Sequence, residues 1–462
     1  MADFRAPRNT AGTTADQAAE QTAGQTSGKT GQAAGQTPKR VLFGLLLLLL
    51  LAPAIQAKFH WVKVAPLDGY FDENKHPDFT WADLRNNTYQ PRLEAYLEEQ
   101  LGFRSWLLRL HNQLVYSLFN QTTIPTVVAG KDDVLFQPLS IDVYQGLGYA
   151  PEEMDNRVRW LRTVQDSLRA HGTQFLLVMA PGKARILPHL LPEQYAKRPV
   201  KPSNYDAVAQ ATRKYGVNVL DAAALMLRWQ DTTKYPLFPR GGTHWSGYAT
   251  ALVADTMFRQ VEYLTKLDLP DFASRGFSVA TTTDSIRFTD DDIQKILNRM
   301  WEVPPYPMAY PKVQFAPDSA AKQKANALII GDSFAQSFYN FYPYYQRLFT
   351  PEARYWAGNE YVFWPEKAPG SHTVKDLDLK QELQGRDIVI IICTEQNLGQ
   401  LGFGFINSAY RLYRPRTAAD EEAINQIAKE LEKKASWEEI SNDPNFARTI
   451  HYKAEAIYDE TH

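Results

Sequence analysis

The sequence has a single cysteine, Cys393, among its 462 residues. The chain therefore cannot form an internal disulfide or a cysteine-based metal site. Cys393 follows the apolar run 388–392, where a thiol usually packs as a small and unreactive hydrophobic group. We interpret Cys393 as a core residue, and the residue pattern predicts neither a metal nor a cofactor.

An excess of charge of one sign is also missing. The chain carries 50 Lys and Arg against 52 Asp and Glu, a formal net charge of -2. It also lacks a basic cluster interleaved with aromatic residues, so nucleic acid is not an expected partner. Hydrophobic residues make up 44% of the chain, which is enough for one large domain or two medium ones.

Large apolar side chains are almost absent from residues 2–38, which are rich in Ala, Gln, Thr and Gly. Such a composition cannot offset the entropy lost when a chain becomes ordered. We therefore predict a disordered cytoplasmic tail at residues 1–38.

A long apolar run, mainly leucine, occupies residues 41–55 directly after Lys39-Arg40. It predicts a membrane segment at residues 39–57, with residues 41–57 as the part inside the membrane. The run is slightly short for ~30 Å of hydrocarbon, so a cleaved signal peptide and a buried helix remain alternatives. We favour an anchor because the preceding region is long and Ile55 stands where a cleavage site prefers a small residue.

Basic residues precede this segment, which favours a cytoplasmic tail and places the rest of the chain outside. The expected location is the bacterial inner membrane, crossed once, with the catalytic domain in the periplasm. Residues 58–125 show leucines at helical spacing between Tyr89 and Phe119, which predicts a helical lead-in.

Short apolar runs alternate with amphipathic helices across residues 126–415. The predicted strands are 175–179, 217–221, 327–330 and 388–392. This alternation predicts an α/β three-layer domain with a central, mainly parallel sheet. Within it, residues 267–324 are irregular and read as an insertion, and residues 416–462 predict a C-terminal helical appendage.

The candidate nucleophile is Ser333, which follows the predicted strand and Gly331-Asp332. A turn from strand to helix presents a hydroxyl at the carboxyl end of a sheet, beside helix N–H groups that can bind an oxyanion. Asp332 and Ser333 also suit plain helix caps. The Gly-Asp-Ser pattern is weak by itself.

The candidate base is His244, in the run Gly241-Gly242-Thr243-His244-Trp245-Ser246. A histidine at such a junction can act as a general base near neutral pH, although packed structural histidines are more common. A serine hydroxyl needs an adjacent base to react, so the two signals support each other.

In combination, these motifs resemble the SGNH-hydrolase-like alginate O-acetyltransferases. The likeness extends from about residue 84 to residue 398 and rests on short motifs in a specific order. They are Gly102-Phe103-Arg104, the run 130–136, Ala180-Pro181-Gly182-Lys183, Thr243-His244-Trp245-Ser246, the run 328–334 and the run 387–398. The resemblance implies an SGNH-like fold in which Ser333 carries the acetyl group and His244 activates it.

One position departs from the family pattern. The family usually has an aspartate two residues before the histidine, and this chain has Gly242 there. That aspartate orients the imidazole and stabilises its charged form. The candidates to replace it are Asp332, Glu395 and a backbone carbonyl, unless the site is a dyad. The family order also implies Gly358 and Asn397 as oxyanion donors, both equally explained as turn residues.

Two further groups of residues complete the candidate set. The run Asp290-Asp291-Asp292 reads as an acidic helix start rather than a cation site. The aromatic residues Trp245, Tyr355 and Trp356 are candidates for stacking on sugar rings, although core packing is the favoured interpretation of the stretch that holds Tyr355 and Trp356.

The resemblance implies an O-acetyltransferase that moves an acetyl group through a serine acyl-enzyme onto hydroxyls of an extracytoplasmic polysaccharide. An active site outside the membrane cannot draw on cytosolic acetyl-CoA, so a membrane-bound O-acyltransferase is the implied donor. An anchor would keep the domain close to that partner. Two alternatives stay open: a carbohydrate acetylesterase, and a non-catalytic scaffold that binds or assembles polysaccharide.

Overall fold

The computed structural model describes residues 28–69, 74–317, 319, 321–364, 373–437 and 446–461. The chain divides into two compact units. One comprises Met1–Pro66 with Phe71–Leu107, and the other comprises Leu67–Tyr70 with Leu108–His462.

The first unit contains the helices Gly28–Phe59, Trp81–Arg85 and Tyr89–Glu99. The part Pro38–Phe59, 22 residues with a mean hydropathy of 2.1, is long and apolar enough to cross a membrane. At about 1.5 Å per residue it spans ~33 Å, enough for the hydrocarbon layer. The helix begins inside the segment predicted to be a disordered tail, and the rest of that tail, residues 1–27, lies outside the described residues.

The second unit contains ten strands in its described part. They are β1 (Val128–Ala129), β2 (Leu135–Phe136), β3 (Gln174–Ala180), β4 (Val219–Asp221), β5 (Phe272–Ala280), β6 (Met308–Phe315), β7 (Ala327–Gly331), β8 (Arg354–Ala357), β9 (Tyr361–Trp364) and β10 (Ile388–Thr394). The central sheet has the order β4-β3-β10-β7-β8-β9, and only β9 pairs antiparallel to its neighbour. The prediction of a mainly parallel sheet is confirmed.

Helices cover both faces of this sheet. Among the residues that the structure describes, the α-helices of the second unit are Arg104–Phe119 (which begins in the first unit), Pro138–Tyr144, Pro151–Ala170, Lys183–Ile186, Glu193–Ala196, Asn204–Tyr215, Ala222–Trp229, Gly247–Thr265, Asp292–Ile296, Ser333–Asn340, Tyr344–Leu348, Leu379–Leu383, Phe405–Tyr413, Ala418–Lys434 and Phe446–Thr461.

Alternate residues of each strand enter opposite cores, as the two-residue period of a strand requires. In β10, Ile390 and Ile392 face the core on the side of the helix Gly247–Thr265, whereas Ile391 and Cys393 face the other. Burial raises the pKa of the Cys393 thiol well above its ordinary value, as expected of a core cysteine.

The parallel strands β3, β7 and β10 all have their C-terminal ends on the same side of the sheet. Because β7 and β10 are neighbours in register, the segments that follow Gly331 and Ile392 leave the sheet side by side. The segment predicted as an insertion contains the antiparallel pair β5–β6 and the short helix Asp292–Ile296. This arrangement brings distant parts of the sequence to the carboxyl edge of the sheet.

Candidate active site

Ser333 is the first residue of the helix Ser333–Asn340, directly beyond the end of β7. Asp332 caps this helix, because its Oδ1 accepts a hydrogen bond of 3.1 Å from the N–H of Phe334. The Ser333 side chain is exposed. The turn therefore presents a hydroxyl to solvent at the N-terminus of a helix.

The second carboxylate oxygen of Asp332 joins β7 to β10. It accepts hydrogen bonds from the N–H of Thr394 at 2.9 Å, from the hydroxyl of Thr394 at 2.6 Å and from Nδ2 of Asn397 at 2.8 Å. Nδ2 of Asn397 also donates to Oγ1 of Thr394 at 3.0 Å. Both of its N–H groups are thus engaged, so Asn397 supports Asp332 and is not placed as an oxyanion donor.

His244 lies next to Ser333, with Nε2 2.7 Å from the serine Oγ. The segment Gly241–Ser246, here called the histidine loop, ends just before the helix Gly247–Thr265. Ser246 caps that helix, because its hydroxyl accepts the N–H of Ala249. Only 8% of His244 is exposed, so the ring has little freedom to turn away. The two candidates separated by 89 residues in sequence are therefore in hydrogen-bond contact.

Asp292 occupies the other side of the imidazole. Its Oδ2 lies 2.9 Å from Nδ1 of His244, and its Oδ1 accepts the N–H of Thr243 at 2.8 Å. A carboxylate only accepts hydrogen bonds, so Nδ1 carries the proton and Nε2 is left to accept the serine proton. The prediction that Asp332 or Glu395 orients the imidazole is corrected: Asp292 lies there.

Glu395 has a different set of partners. Its Oε2 accepts the N–H of Gly182 at 3.2 Å, and its Oε1 pairs with Arg185. The carboxylate is 1% exposed and connects the ends of β3 and β10. Glu395 therefore has a structural position beside the site.

The glycines before His244 allow two segments of backbone to pack against each other. A Cβ at Gly242 would lie 2.6 Å from the carbonyl oxygen of Thr289 and 2.8 Å from that of Asp290. The carbonyl of Gly241 accepts the N–H of Gln294 at 2.9 Å. No side chain fits at position 242 without movement of this backbone, which explains why the orienting carboxylate comes from the facing segment.

The run Asp290-Asp291-Asp292 is predicted from sequence to be an acidic helix start rather than a cation site. A helix does begin there, at Asp292–Ile296, with Asp291 as its N-cap. Sequence reasoning missed that Asp292 also turns toward His244. The available signal was the combination of a missing carboxylate at Gly242 and an acidic run elsewhere in the same domain.

The other two aspartates of the run do not reach the imidazole. Asp291 pairs with Lys295 at 2.7 Å. Asp290 is 2% exposed and accepts the hydroxyl of Tyr310 at 2.8 Å. Burial raises the pKa of Asp290 to about 8. Across the described part of the chain, no group of three or more His, Cys, Asp or Glu is arranged to hold a metal ion.

Gly358 is also placed differently from the expectation. Its N–H donates to the carbonyl of Gly331 at 2.8 Å, so it continues the pairing of β7 with β8 rather than facing the site. The oxyanion donor predicted at Gly358 is therefore corrected.

The three aromatic candidates are core residues. Trp245 and Tyr355 are 0% exposed, and Trp356 is 1% exposed. Trp245 packs against Phe334, and the hydroxyl of Tyr355 donates to the carbonyl of Asp332 at 2.8 Å. Rings without an open face cannot stack on a sugar, so the prediction of substrate contacts by these residues is corrected.

The geometry joins a hydroxyl, an imidazole and a carboxylate in one hydrogen-bonded series. Such a series can activate a serine for attack on an acyl carbonyl, because the imidazole removes the proton and the carboxylate stabilises the resulting imidazolium. The carboxylate, imidazole and hydroxyl come from Asp292, His244 and Ser333.

Comparison with known proteins gives a match to a family model and similarity to curated proteins. Residues 127–356 match the family model described as the SGNH hydrolase-like domain of acetyltransferase AlgX. The chain is 27% identical over 190 residues to the probable alginate O-acetylase AlgJ of Pseudomonas aeruginosa, covering 40% of this chain and 46% of that relative. It is 28% identical over 165 residues to the protein of the same name from Pseudomonas putida, covering 35% and 39%. The matched region spans less than half of these curated relatives.

The matches to solved structures have TM-scores below 0.5. The O-acetyltransferase domain of Pseudomonas putida AlgJ matches with a TM-score of 0.41 and 20% identity, covering 63% of this chain and 100% of that chain. Pseudomonas aeruginosa AlgX matches with a TM-score of 0.41 and 12% identity, covering 61% and 67%.

Proposed function

This chain carries an SGNH hydrolase-like domain of the AlgX/AlgJ-like family, and from that premise we propose that it is a serine-dependent O-acetyltransferase. The proposed acceptor is a polysaccharide outside the cytoplasm, and Ser333 carries the acetyl group. The curated relatives named as probable alginate O-acetylases support alginate or a related polyuronate as the acceptor class.

The observation that carries the proposal is the series Asp292–His244–Ser333, with contacts of 2.9 and 2.7 Å. A scaffold that only binds polysaccharide has no need of a hydroxyl, an imidazole and a carboxylate in this order. The exposed position of Ser333 at a helix N-terminus supports the same reading. We therefore favour catalysis over the scaffold alternative.

In the first step, Oγ of Ser333 attacks the carbonyl carbon of the acetyl donor while Nε2 of His244 takes the hydroxyl proton. Asp292 holds the Nδ1 proton and stabilises the imidazolium. In this proposal the N–H of Ser333, at the N-terminus of its helix, stabilises the oxyanion. When the tetrahedral intermediate collapses, the leaving group departs with the proton from Nε2.

In the second step, a sugar hydroxyl gives its proton to Nε2 of His244 and attacks the acetyl carbon. The bond to Oγ of Ser333 breaks, and the serine recovers its proton from the imidazolium. Water in place of the sugar would give an esterase. Exclusion of water by the bound acceptor is what separates the two outcomes.

The helix Pro38–Phe59 supports a membrane-anchored enzyme. We propose a single pass through the inner membrane, with the domain in the periplasm and a membrane-bound O-acyltransferase as acetyl donor. Anchoring would raise the effective concentration of the domain near that donor.

The test uses the full chain in detergent, with 4-nitrophenyl acetate as donor and an oligouronate as acceptor. Mass spectrometry locates the acetyl adduct, and chromatography separates acetylated sugar from free acetate. Ser333→Ala is compared with Ser408→Ala, which alters another exposed serine.

We expect an adduct on Ser333 in the native chain and in Ser408→Ala, none at that position in Ser333→Ala, and acetyl on the sugar. Acetate release alone would select the esterase. Turnover that survives Ser333→Ala, or no turnover in any variant, would count against a serine-dependent enzyme.

A further inference from the structure

Lys183 places a buried ammonium group behind the histidine loop. The residue is 4% exposed, at the start of the helix Lys183–Ile186 beyond the end of β3. Its Nζ donates to the carbonyls of Leu135 at 2.8 Å, Arg240 at 3.0 Å and Gly242 at 2.9 Å. A buried cation is costly unless it is hydrogen-bonded. Here the partners come from two separate segments, Leu135 in β2 and Arg240 with Gly242 in the loop before His244.

The three carbonyl acceptors around Nζ identify the charged, ammonium form of Lys183. A carbonyl oxygen can only accept a hydrogen bond, so three carbonyls require three N–H donors, which only the ammonium form supplies. Burial lowers the pKa of Lys183 to about 7, while the negative charge of Asp292 acts in the opposite direction. Hydrogen bonds to the charged form also favour it. Lys183 is therefore suited to hold carbonyl groups in place.

The carbonyl of Gly242 belongs to the residue two positions before His244. One side of Gly242 contacts the backbone of Thr289 and Asp290 so closely that a Cβ could not fit, and its carbonyl is bonded to Lys183. The next residue, Thr243, donates its N–H to Asp292. The peptide that positions the imidazole is thus held from both sides.

We propose that Lys183 is a positioning residue for the Ser333–His244–Asp292 series. Its ammonium fixes the Gly242 peptide, and through it the orientation of the His244 ring toward Ser333 and Asp292. This inference rests on the proposed function for its kinetic consequence. The geometric consequence, a well-ordered Nδ1–H bond between His244 and Asp292, is independent of any activity.

The test compares two variants. Lys183→Met keeps a long side chain but removes the charge and the N–H donors, whereas Lys183→Arg keeps the charge and the donors. Lys295→Met is the matched control, because Lys295 is a half-exposed lysine that pairs with the neighbouring Asp291. Each full-length variant is assayed in detergent for kcat and KM with 4-nitrophenyl acetate. The Nδ1 proton is observed by downfield proton NMR, assigned by its loss in Asp292→Asn.

For Lys183→Met we expect kcat to fall about 100-fold with KM changed less than about threefold, since a displacement of about 1 Å in a reacting group has an effect of that size. The Nδ1 resonance should broaden or move upfield. Lys183→Arg should recover most of the resonance and at least a tenth of kcat, and Lys295→Met should match the native chain.

A folded Lys183→Met with native kcat and a native Nδ1 resonance would overturn the proposal. If this variant does not fold, Lys183→Gln supplies the comparison, since it offers two N–H donors to three carbonyls. If the native chain transfers no acetyl group, the proposed function fails, and the resonance still decides whether Lys183 positions the ring.

Discussion

The carboxylate of Asp292 lies 2.9 Å from Nδ1 of His244, although the two residues are 48 positions apart in sequence. The contact is possible because the histidine loop packs backbone to backbone against the segment that carries Asp292, with Gly242 at the closest approach. The orienting carboxylate that the family pattern places near the histidine in sequence thus comes from a distant segment that packs against the histidine loop.

Asp292→Asn should lower kcat about 10,000-fold while KM changes little. The amide keeps the shape but can place its NH2 toward Nδ1, which favours the wrong imidazole tautomer. Acetyl ester turnover and the rate of Ser333 acylation measure this loss. Asp291→Asn, which alters a carboxylate paired with Lys295, is the control and should stay within about threefold of the native rate.

Adding an aspartate at position 242 should not restore activity to Asp292→Asn. The new Cβ would meet the carbonyl oxygens of Thr289 and Asp290 at 2.6 and 2.8 Å, so the loop would have to move away from the site. The double variant Gly242→Asp/Asp292→Asn tests this by turnover. Recovery to within tenfold of the native rate would contradict the stated role of Gly242.

Gly242→Ala alone should reduce the free energy of unfolding by about 1–3 kcal/mol, the usual range for an overpacked site. Urea denaturation monitored by tryptophan fluorescence measures the change. Gly399→Ala is the matched control, because its Cβ would meet only Nδ2 of Asn204 at 3.5 Å, an ordinary contact. Equal stability of the two variants would argue against close packing at Gly242.

Asp332→Ala should destabilise the fold by about 2–4 kcal/mol. It removes a helix cap and leaves the donors of Thr394 and Asn397 without their shared acceptor. Because Ser333 is the next residue, acylation should slow as well. Denaturation and burst kinetics measure both effects, and Asp378→Ala, which removes a cap from the distant helix Leu379–Leu383, should affect stability alone.

The buried carboxyl of Asp290 should cause the free energy of unfolding to fall as the pH rises. Burial raises the pKa of this carboxyl to about 8 in the folded chain, above its value in the unfolded chain of about 4. Between these values the folded chain keeps a proton that the unfolded chain releases. The contribution of Asp290 to the free energy of unfolding is therefore full below about pH 4 and is lost as the pH rises through about 8.

Asp290→Asn should remove this dependence while its carbonyl still accepts the hydroxyl of Tyr310. Unfolding free energies at pH 5 and pH 8 for both chains provide the measurement. The native chain should lose stability relative to Asp290→Asn on going from pH 5 to pH 8. An identical change in both chains would exclude Asp290 as the source.

Local pattern was sufficient for the layered α/β fold. Continuous apolar runs predicted β7 and β10 to within two residues of their ends, because a strand buried on both faces needs such a run. The pair β5–β6 was not predicted. Many of its side chains are exposed, so the sequence there lacks a clear hydrophobic period.

The sequence by itself identified the two candidate reactive groups, since a serine after a buried strand and a histidine before a helix are features of neighbouring residues. Only the tertiary structure decided which carboxylate contacts the imidazole. It also decided which polar candidates are hydrogen-bonded to other groups and which aromatic candidates are buried in the core. Asp292, Asp332 and Glu395 are chemically alike, and only the close approach of separate backbone segments distinguishes them. Burial likewise assigned Trp245 and Trp356 to the core, a property that depends on what lies around a ring rather than on its neighbours in sequence.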